Sequence, residues 1–312
     1  MAIHPNEFSY IPHDRQILKP NYISNPDLKT YRQQIIFDLL FKRKNLVTLN
    51  PTNSTLNVDL TDIIHPNYSN KTIGLRLISK ALHDMTDACV SVLLKSQVLT
   101  IPLFIEPPSV KNEVIVFSLT PDFYNYLSRV YFTNDRSELI VGDADPLKFI
   151  PSRIALLFYW HILRFSQMDC ENFTLSVQEL IEIVQSKIDR KRSSFTYVNK
   201  DILCPIQEIL KGTDAEFEFR PVKRDSDARV LEIMIYGYKT HSQLKQEFRD
   251  EVYRLTFGES LQTSPKLNTM HRIDQPYSLQ KKLSDWEIVS NHATQSNESS
   301  YLYSWFDHHS SQ

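Results

Sequence analysis

Apolar positions set out the elements of this chain. Tyr31, Ile35, Ile36, Leu39 and Leu40 recur at helical spacing after Asp27, and Lys42-Arg43-Lys44 closes that helix. Leu46–Leu49 and Leu56–Leu60 read as short strands, or as a strand followed by a turn, and residues 59–65 as a short helix ending before Pro66. A long helix is expected from Lys71 to about Lys95, capped by Ser69 or Asn70 and lined by Ile73, Leu77, Ile78, Leu82, Met85, Ala88 and Val92. Strands at Val98–Phe104 and Val114–Leu119 bracket a polar loop, and Thr120-Pro-Asp opens a further helix with proline in its first turn. Ser152 caps a segment apolar nearly all round, through Ile154, Leu156, Leu157, Phe158, Trp160, Ile162 and Leu163, which marks a central buried helix.

The second half follows the same order. A helix is expected over Phe173–Val184, capped by Thr174 or Ser176, then a polar run containing Lys187, Arg190, Lys191 and Arg192. A second helix covers Tyr197–Lys211, with Val198, Ile202, Leu203, Ile206, Ile209 and Leu210 on one side and Gly212 as its stop. Pro205 inside it removes an amide donor and predicts a kink or a true first turn. Ala215–Phe219 and Val230–Tyr236 then form a hairpin with Lys223, Arg224 and Arg229 near its tip, followed by a helix from Ser242 to Phe257. Helix, turn, helix and charged hairpin is the order of a DNA-binding winged helix, and it occurs in both halves.

The fold class is therefore α+β, with two tandem winged-helix domains and a polar C-terminal tail. The expected boundaries are an N-terminal arm 1–28, a first domain 29–134, an acidic link 135–151, a second domain 152–257 and a tail 258–312. Pro5, Pro12, Pro20 and Pro26 argue for an extended arm, and Gly142, Pro146 and Pro151 for a link.

Composition narrows the chemistry. With 312 residues, 41% hydrophobic and 23% charged, the chain has the balance of a soluble globular protein, and no apolar run reaches membrane-spanning length. A cytoplasmic location without membrane contact is expected. Cys89, Cys170 and Cys204 are scattered and odd in number, which suggests neither disulfides nor a cysteine zinc site. Five glycines, none clustered, exclude a phosphate-cradling loop. His308-His309 reads as part of a polar tail, and the acid pairs Asp143/Asp145 and Asp225/Asp227 as loop solvation. No catalytic residue, metal or cofactor is expected. A formal net charge of -2 makes nucleic-acid binding depend on local clusters. From Lys187 to Lys200 there are five cations and one acid.

Three segments resemble the theta-type plasmid replication initiators, the iteron-binding proteins made of two winged-helix domains. They are Val114–Leu127 with Tyr131-Phe-Thr133, Ser152–Tyr159, and Leu203–Ile209 with Thr213–Phe217. The family's usual Asn after Glu-Ile is Leu210 here, and the tail beyond Phe257 lies outside the resemblance. The resemblance implies an origin-binding protein that reads directly repeated sites in double-stranded DNA, one winged helix in each of two successive major grooves. It also implies a monomer-dimer equilibrium and recruitment of the host replicative helicase and initiator proteins.

In that reading Arg190, Lys191 and Arg192 grip phosphates, Asn199 and Lys200 face bases, and Lys223, Arg224 and Arg229 hold the wing on the backbone. Lys71, Arg76 and Lys80 do the corresponding work in the first half. Each cationic run has a plainer reading as a solvated face, and Lys42-Arg43-Lys44 also suits the negative end of its helix. The alternatives are a winged-helix protein-interaction module or transcriptional regulator, and a metal-dependent nicking initiator using Tyr301 or Tyr303 near His308.

Overall fold

The Ser152 hydroxyl accepts from the Ala155 amide at 3.4 Å and so starts the central helix, α5 (Arg153–Gln167), with one orphan donor satisfied. Ala155 through Trp160, Ile162 and Leu163 are all buried, as a sequence without a polar stripe requires. The computed structural model describes residues 10–20, 23, 24, 26, 28–47, 49, 54–63, 71–94, 97–132, 139–184, 194–223 and 230–257. The described residues through Val252 belong to one compact unit; a second begins at Tyr253, of which 253–257 are described. The class is α+β.

The earlier elements are β1 (Gln16–Pro20), α1 (Tyr31–Leu39), α2 (Arg43–Val47), β2 (Thr55–Asp59), a 3-10 turn at Leu60–Asp62 and α3 (Lys71–His83). There follow β3 (Cys89–Leu94), β4 (Gln97–Pro102), β5 (Ser109–Lys111), β6 (Val114–Ser118), α4 (Pro121–Phe132) and β7 (Leu139–Asp143). After α5 come β8 (Asn172–Ser176), α6 (Val177–Ile183), α7 (Phe195–Val198), a π turn at Asn199–Leu203, and α8 (Cys204–Leu210). β9 (Glu218–Lys223), β10 (Val230–Tyr236) and α9 (His241–Phe257) complete the order. Two three-stranded sheets, β2-β6-β5 and β8-β10-β9, have the same topology, each with its last strand in the middle. A helix precedes each sheet, two helical pieces join its first and second strands, and a helix follows it. The hairpin β3-β4 is an addition to the first half.

Several expectations fail for identifiable reasons. The long helix stops at His83: Ala88 and Val92 fit a helical count, but Cys89-Val-Ser-Val alternates, and Val90 and Val92 are buried together as strand residues. Val98–Phe104 meets Val114–Leu119 at the antiparallel bridge Phe104–Leu119 but does not form the first wing along its length. It turns back on β3, while Ser109–Lys111, assigned to a loop, pairs with β6. Phe173 to Ser176 is strand rather than helix; with Phe173 and Leu175 inward and Asn172 and Thr174 outward, the period is two. Leu46 belongs to helix α2 rather than a strand, and α1 starts at Tyr31, where Thr30 and Gln33 form a capping box.

Residues 16–20 and 139–143, read as arm and link, are paired antiparallel strands, Gln16 opposite Asp143 and Pro20 opposite Leu139. Leu139-Ile-Val141 is a short apolar run covered on both faces, the type of strand whose signal lacks alternation. Gly142 is demanded by packing: a Cβ there would meet Trp160 Cζ3 at 2.7 Å and Leu163 Cδ1 at 2.9 Å.

One buried polar group joins these layers. Asp38, on α1 and fully buried, accepts from Lys19 Nζ at 2.8 Å, Gln34 Nε2 at 3.0 Å and Trp160 Nε1 at 2.7 Å. The Lys19 ammonium also lies 5.5 Å from the Phe37 ring centroid and 5.2 Å from that of Trp160. Burial pulls the Lys19 pKa down, while the Asp38 charge and hydrogen bond oppose the shift. The N-terminal strand, α1 and α5 are thus tied by one carboxylate.

A second buried cluster lies where Tyr159 of α5 meets the turn after α8. Tyr159 donates toward Asp214 Oδ2 at 3.3 Å, and Asp214 Oδ1 is buried with no hydrogen-bond partner among the described residues. Burial, then the Asp143 charge, pushes the Asp214 carboxyl up to about 7. His161, stacked on Phe158 and met edge-on by Phe165 and Phe173, is pushed down to about 4 by burial and then by Arg164.

Two predictions follow from these groups. Lys19→Met, which strands the Asp38 charge, is expected to cost about 3–5 kcal/mol in urea unfolding. Lys19→Met with Asp38→Leu is expected to recover part of that loss, because no lone charge remains.

The second prediction concerns pH. Asp214 keeps in the folded state a proton that the unfolded chain releases near 3.8, so its contribution to stability falls as pH rises from about 4 to about 7. His161 stays neutral where the unfolded chain protonates near 6.5, so its contribution falls as pH drops from 6.5 to about 4. The two slopes oppose each other over the shared range. Asp214→Asn is expected to leave a protein that weakens on acidification there, and His161→Phe one that weakens as pH rises. Urea midpoints measured across the range check both.

Candidate nucleic-acid interface

α3 buries Gly74, Ile78, Ala81 and Leu82 and leaves Leu75, Arg76, Ser79, Lys80 and His83 exposed. Arg76, Lys80 and His83 stand at intervals of four and three, so they share one face. Arg76 and Lys80 form no ion pair with a described residue, which leaves their charge available to an anion. Lys71 opens the helix by its backbone position.

The neighbouring cations contrast with these. Lys42 is buried and bonds Asp62 at 2.7 Å, Arg43 donates to Gln16 Oε1 at 2.8 Å, and Lys44 faces Asp59 at 3.5 Å. α1 ends before this triplet, and Arg43 and Lys44 begin α2. Lys42 and Arg43 therefore anchor the fold.

In the second half, Ser176 and Glu179 form a capping box at the start of α6, with Ser176 N donating to Glu179 Oε2 at 2.7 Å. Those hydrogen bonds hold the Glu179 carboxyl below its usual range. The helical segment from Phe195 to Leu210 buries Val198, Ile202, Leu203, Ile206 and Leu210. It exposes Thr196, Lys200, Asp201, Cys204, Pro205 and Glu208, with Asn199 half-buried. Its C-terminus is fixed by Thr213, whose hydroxyl donates to the Leu210 carbonyl at 2.7 Å, and by Gly212 at φ 77. Pro205 lies in the first turn of α8, and the turn before it is wound as a π helix. An α-helical continuation would press the proline ring on the Asp201 carbonyl; the wider turn relieves that contact.

β9 and β10 form the hairpin beside this helix, with Phe219 opposite Ile235 and Arg220 opposite Met234. Arg220, not among the sequence candidates, is exposed and lies 5.9 Å from the Tyr236 ring centroid. The alternation from Phe217 to Arg220 carried that signal, since it turns residues 218 and 220 outward.

The outcome for the sequence candidates is uneven. Arg76, Lys80 and Lys200 are exposed, while Asn199 is half-buried with Oδ1 accepting from Cys204 Sγ at 3.3 Å. Lys223 is the last residue of β9. Arg190, Lys191, Arg192, Arg224 and Arg229 lie outside the described residues, as does the tail from residue 258. Among the described residues the exposed face of the second helix is not basic: Lys200 stands with Asp201 and Glu208.

No helix among the described residues is long and apolar enough to cross a membrane. No family model matches the chain, and no curated protein matches it in sequence. Among solved structures, the chain is similar in fold to a Pi initiator protein crystallised in complex with iteron DNA. The two are 12% identical with a TM-score of 0.57, over 72% of this chain and 97% of the other.

Proposed function

We propose that the chain is a sequence-specific DNA-binding plasmid replication initiator, which places two winged-helix modules on repeated sites at an origin and recruits host replication proteins. The observation that carries this reading is the doubled architecture: the same sheet topology twice, each with a helix exposing polar side chains, inside one compact unit. The fold likeness to an initiator that binds iteron DNA supports it. The protein acts by binding, without catalytic chemistry of its own. Exchange between monomer and dimer, and contact with a host helicase, extend the proposal along the lines the sequence resemblance implies.

Residue roles follow from charge and exposure. Arg76 and Lys80 serve the first half, by guanine edges or phosphates, and Lys200 serves the second. Lys71, Lys223 and the cationic residues Arg190, Lys191, Arg192, Arg224 and Arg229 add phosphate contacts that fix register. A second reading, a winged-helix module that binds a protein partner, is favoured by one observation: Asp201 and Glu208 offset Lys200 on the outward face of the second helix.

Selection of the full-length protein against a duplex pool with a randomised centre separates the readings. An enriched motif is the expected result, and recovery of random sequence would favour the protein-binding module. On the selected site, Arg76→Ala, Lys80→Ala and Lys200→Ala together are expected to reduce the slope of log affinity against log salt by about 2.7, at roughly 0.9 per phosphate. A folded triple variant with an unchanged slope overturns their assignment to phosphates.

A further inference from the structure

The π turn in the second exposed helix puts two side chains together that an α-helix would separate. Residues five apart in an α-helix point about 140° from each other. Here the Cys204 amide bonds the Asn199 carbonyl, the i to i+5 pattern, and the Cys204 thiol donates to Asn199 Oδ1 at 3.3 Å. Pro205 makes this winding stable, because it has no amide to give to an α-helical bond at that place. Both side chains border the face on which Thr196, Lys200 and Glu208 are exposed, and Cys204 itself is exposed and not in a disulfide.

A carboxamide reads adenine by accepting from N6 through its oxygen and donating to N7 through its nitrogen, a geometry lost if the group rotates by half a turn. A carboxamide at the edge of a helix turns freely unless one of its atoms is held. The thiol of Cys204 holds the oxygen on one lone pair, leaves the second lone pair for another donor, and so fixes which end of the amide is which.

We propose that Asn199 is a specificity-determining residue that reads an adenine, and that Cys204 is the positioning residue that sets its orientation through the π turn. This rests on the initiator reading above and deepens it. Lys200, on the adjoining position, supplies phosphate attraction without base preference, so the two neighbours have separable effects.

The test uses the full-length protein and the motif it selects from the randomised duplex pool. Every base pair of the motif is changed in turn, and competition binding is measured for the parent, Asn199→Ala, Cys204→Ala and Cys204→Ser, with thermal midpoints checking that each variant folds. One A·T pair is expected at which the parent discriminates on the order of 5- to 150-fold. Asn199→Ala is expected to erase the preference at that pair alone. Cys204→Ala is expected to weaken the same preference while leaving other positions and the salt slope unchanged, and Cys204→Ser, which still donates, to retain it.

Preferences unchanged at every pair in Asn199→Ala would overturn the assignment of Asn199. A Cys204→Ala protein that loses affinity uniformly, or a Cys204→Ser protein that behaves like it, would overturn the positioning role. A pool that yields no motif overturns the initiator reading and this inference together, whereas a motif read without residue 199 overturns this inference alone.

Discussion

A carboxylate with no access to water has to be answered by the protein, and Asp38 is answered from its own helix and from two elements outside it. Lys19 comes from the first strand, Gln34 from one turn earlier on the same helix, and Trp160 from the central helix. Losing one of these partners leaves a charge or an acceptor stranded in a region packed by Phe37, Phe41 and the α5 side chains, where unmet polarity is most costly. The bonds are directional, so they fix how α1 and α5 face each other more narrowly than apolar packing does. β1 lies beside β7 in the same layer, and the close approach of Gly142 to Trp160 leaves no slack on that side.

This constraint gives the doubled topology its meaning. Two similar halves joined by an open link would sample many relative orientations, and each would meet a duplex independently. Halves bound through α1, α5 and the β1-β7 pair belong to one compact unit, so their exposed helices stand in a fixed relation. In the proposed DNA binding such a pair loses less conformational freedom than a tethered one would. The charge is distributed to match: the cations at the centre, Lys19 and Lys42, are consumed by the fold, while Arg76, Lys80 and Lys200 remain outward.

Much of the second half was legible in the sequence because its signals are local. The Ser152 cap, the stripe from Val198 to Leu210, Gly212 as a stop and the Val230–Tyr236 strand each depend on neighbours within a few residues. What stayed hidden depends on partners far away. Lys19 reads as a surface cation until Asp38 is beside it, and Leu139–Val141 reads as a link until β1 covers its edge. Ala88 and Val92 fit two periods at once, and only the pairing of β3 with β4 chooses between them. The outward placement of Arg76 and Lys80 was legible from helical phase, and that of Lys200 from its polar neighbours at the start of a helix. Arg220 needed the strand register, and the Asn199–Cys204 contact needed a π turn that no periodic count contains.

The central claim is that both exposed helices engage one duplex as a fixed pair. Hydroxyl-radical footprinting of the full-length protein on its selected site tests it most directly. The account predicts two protected patches on one face of the duplex, about one helical turn of roughly 10 bp apart, both lost together when Lys19→Met loosens the Asp38 contacts. A single patch, or two patches that respond independently to that substitution, would contradict it.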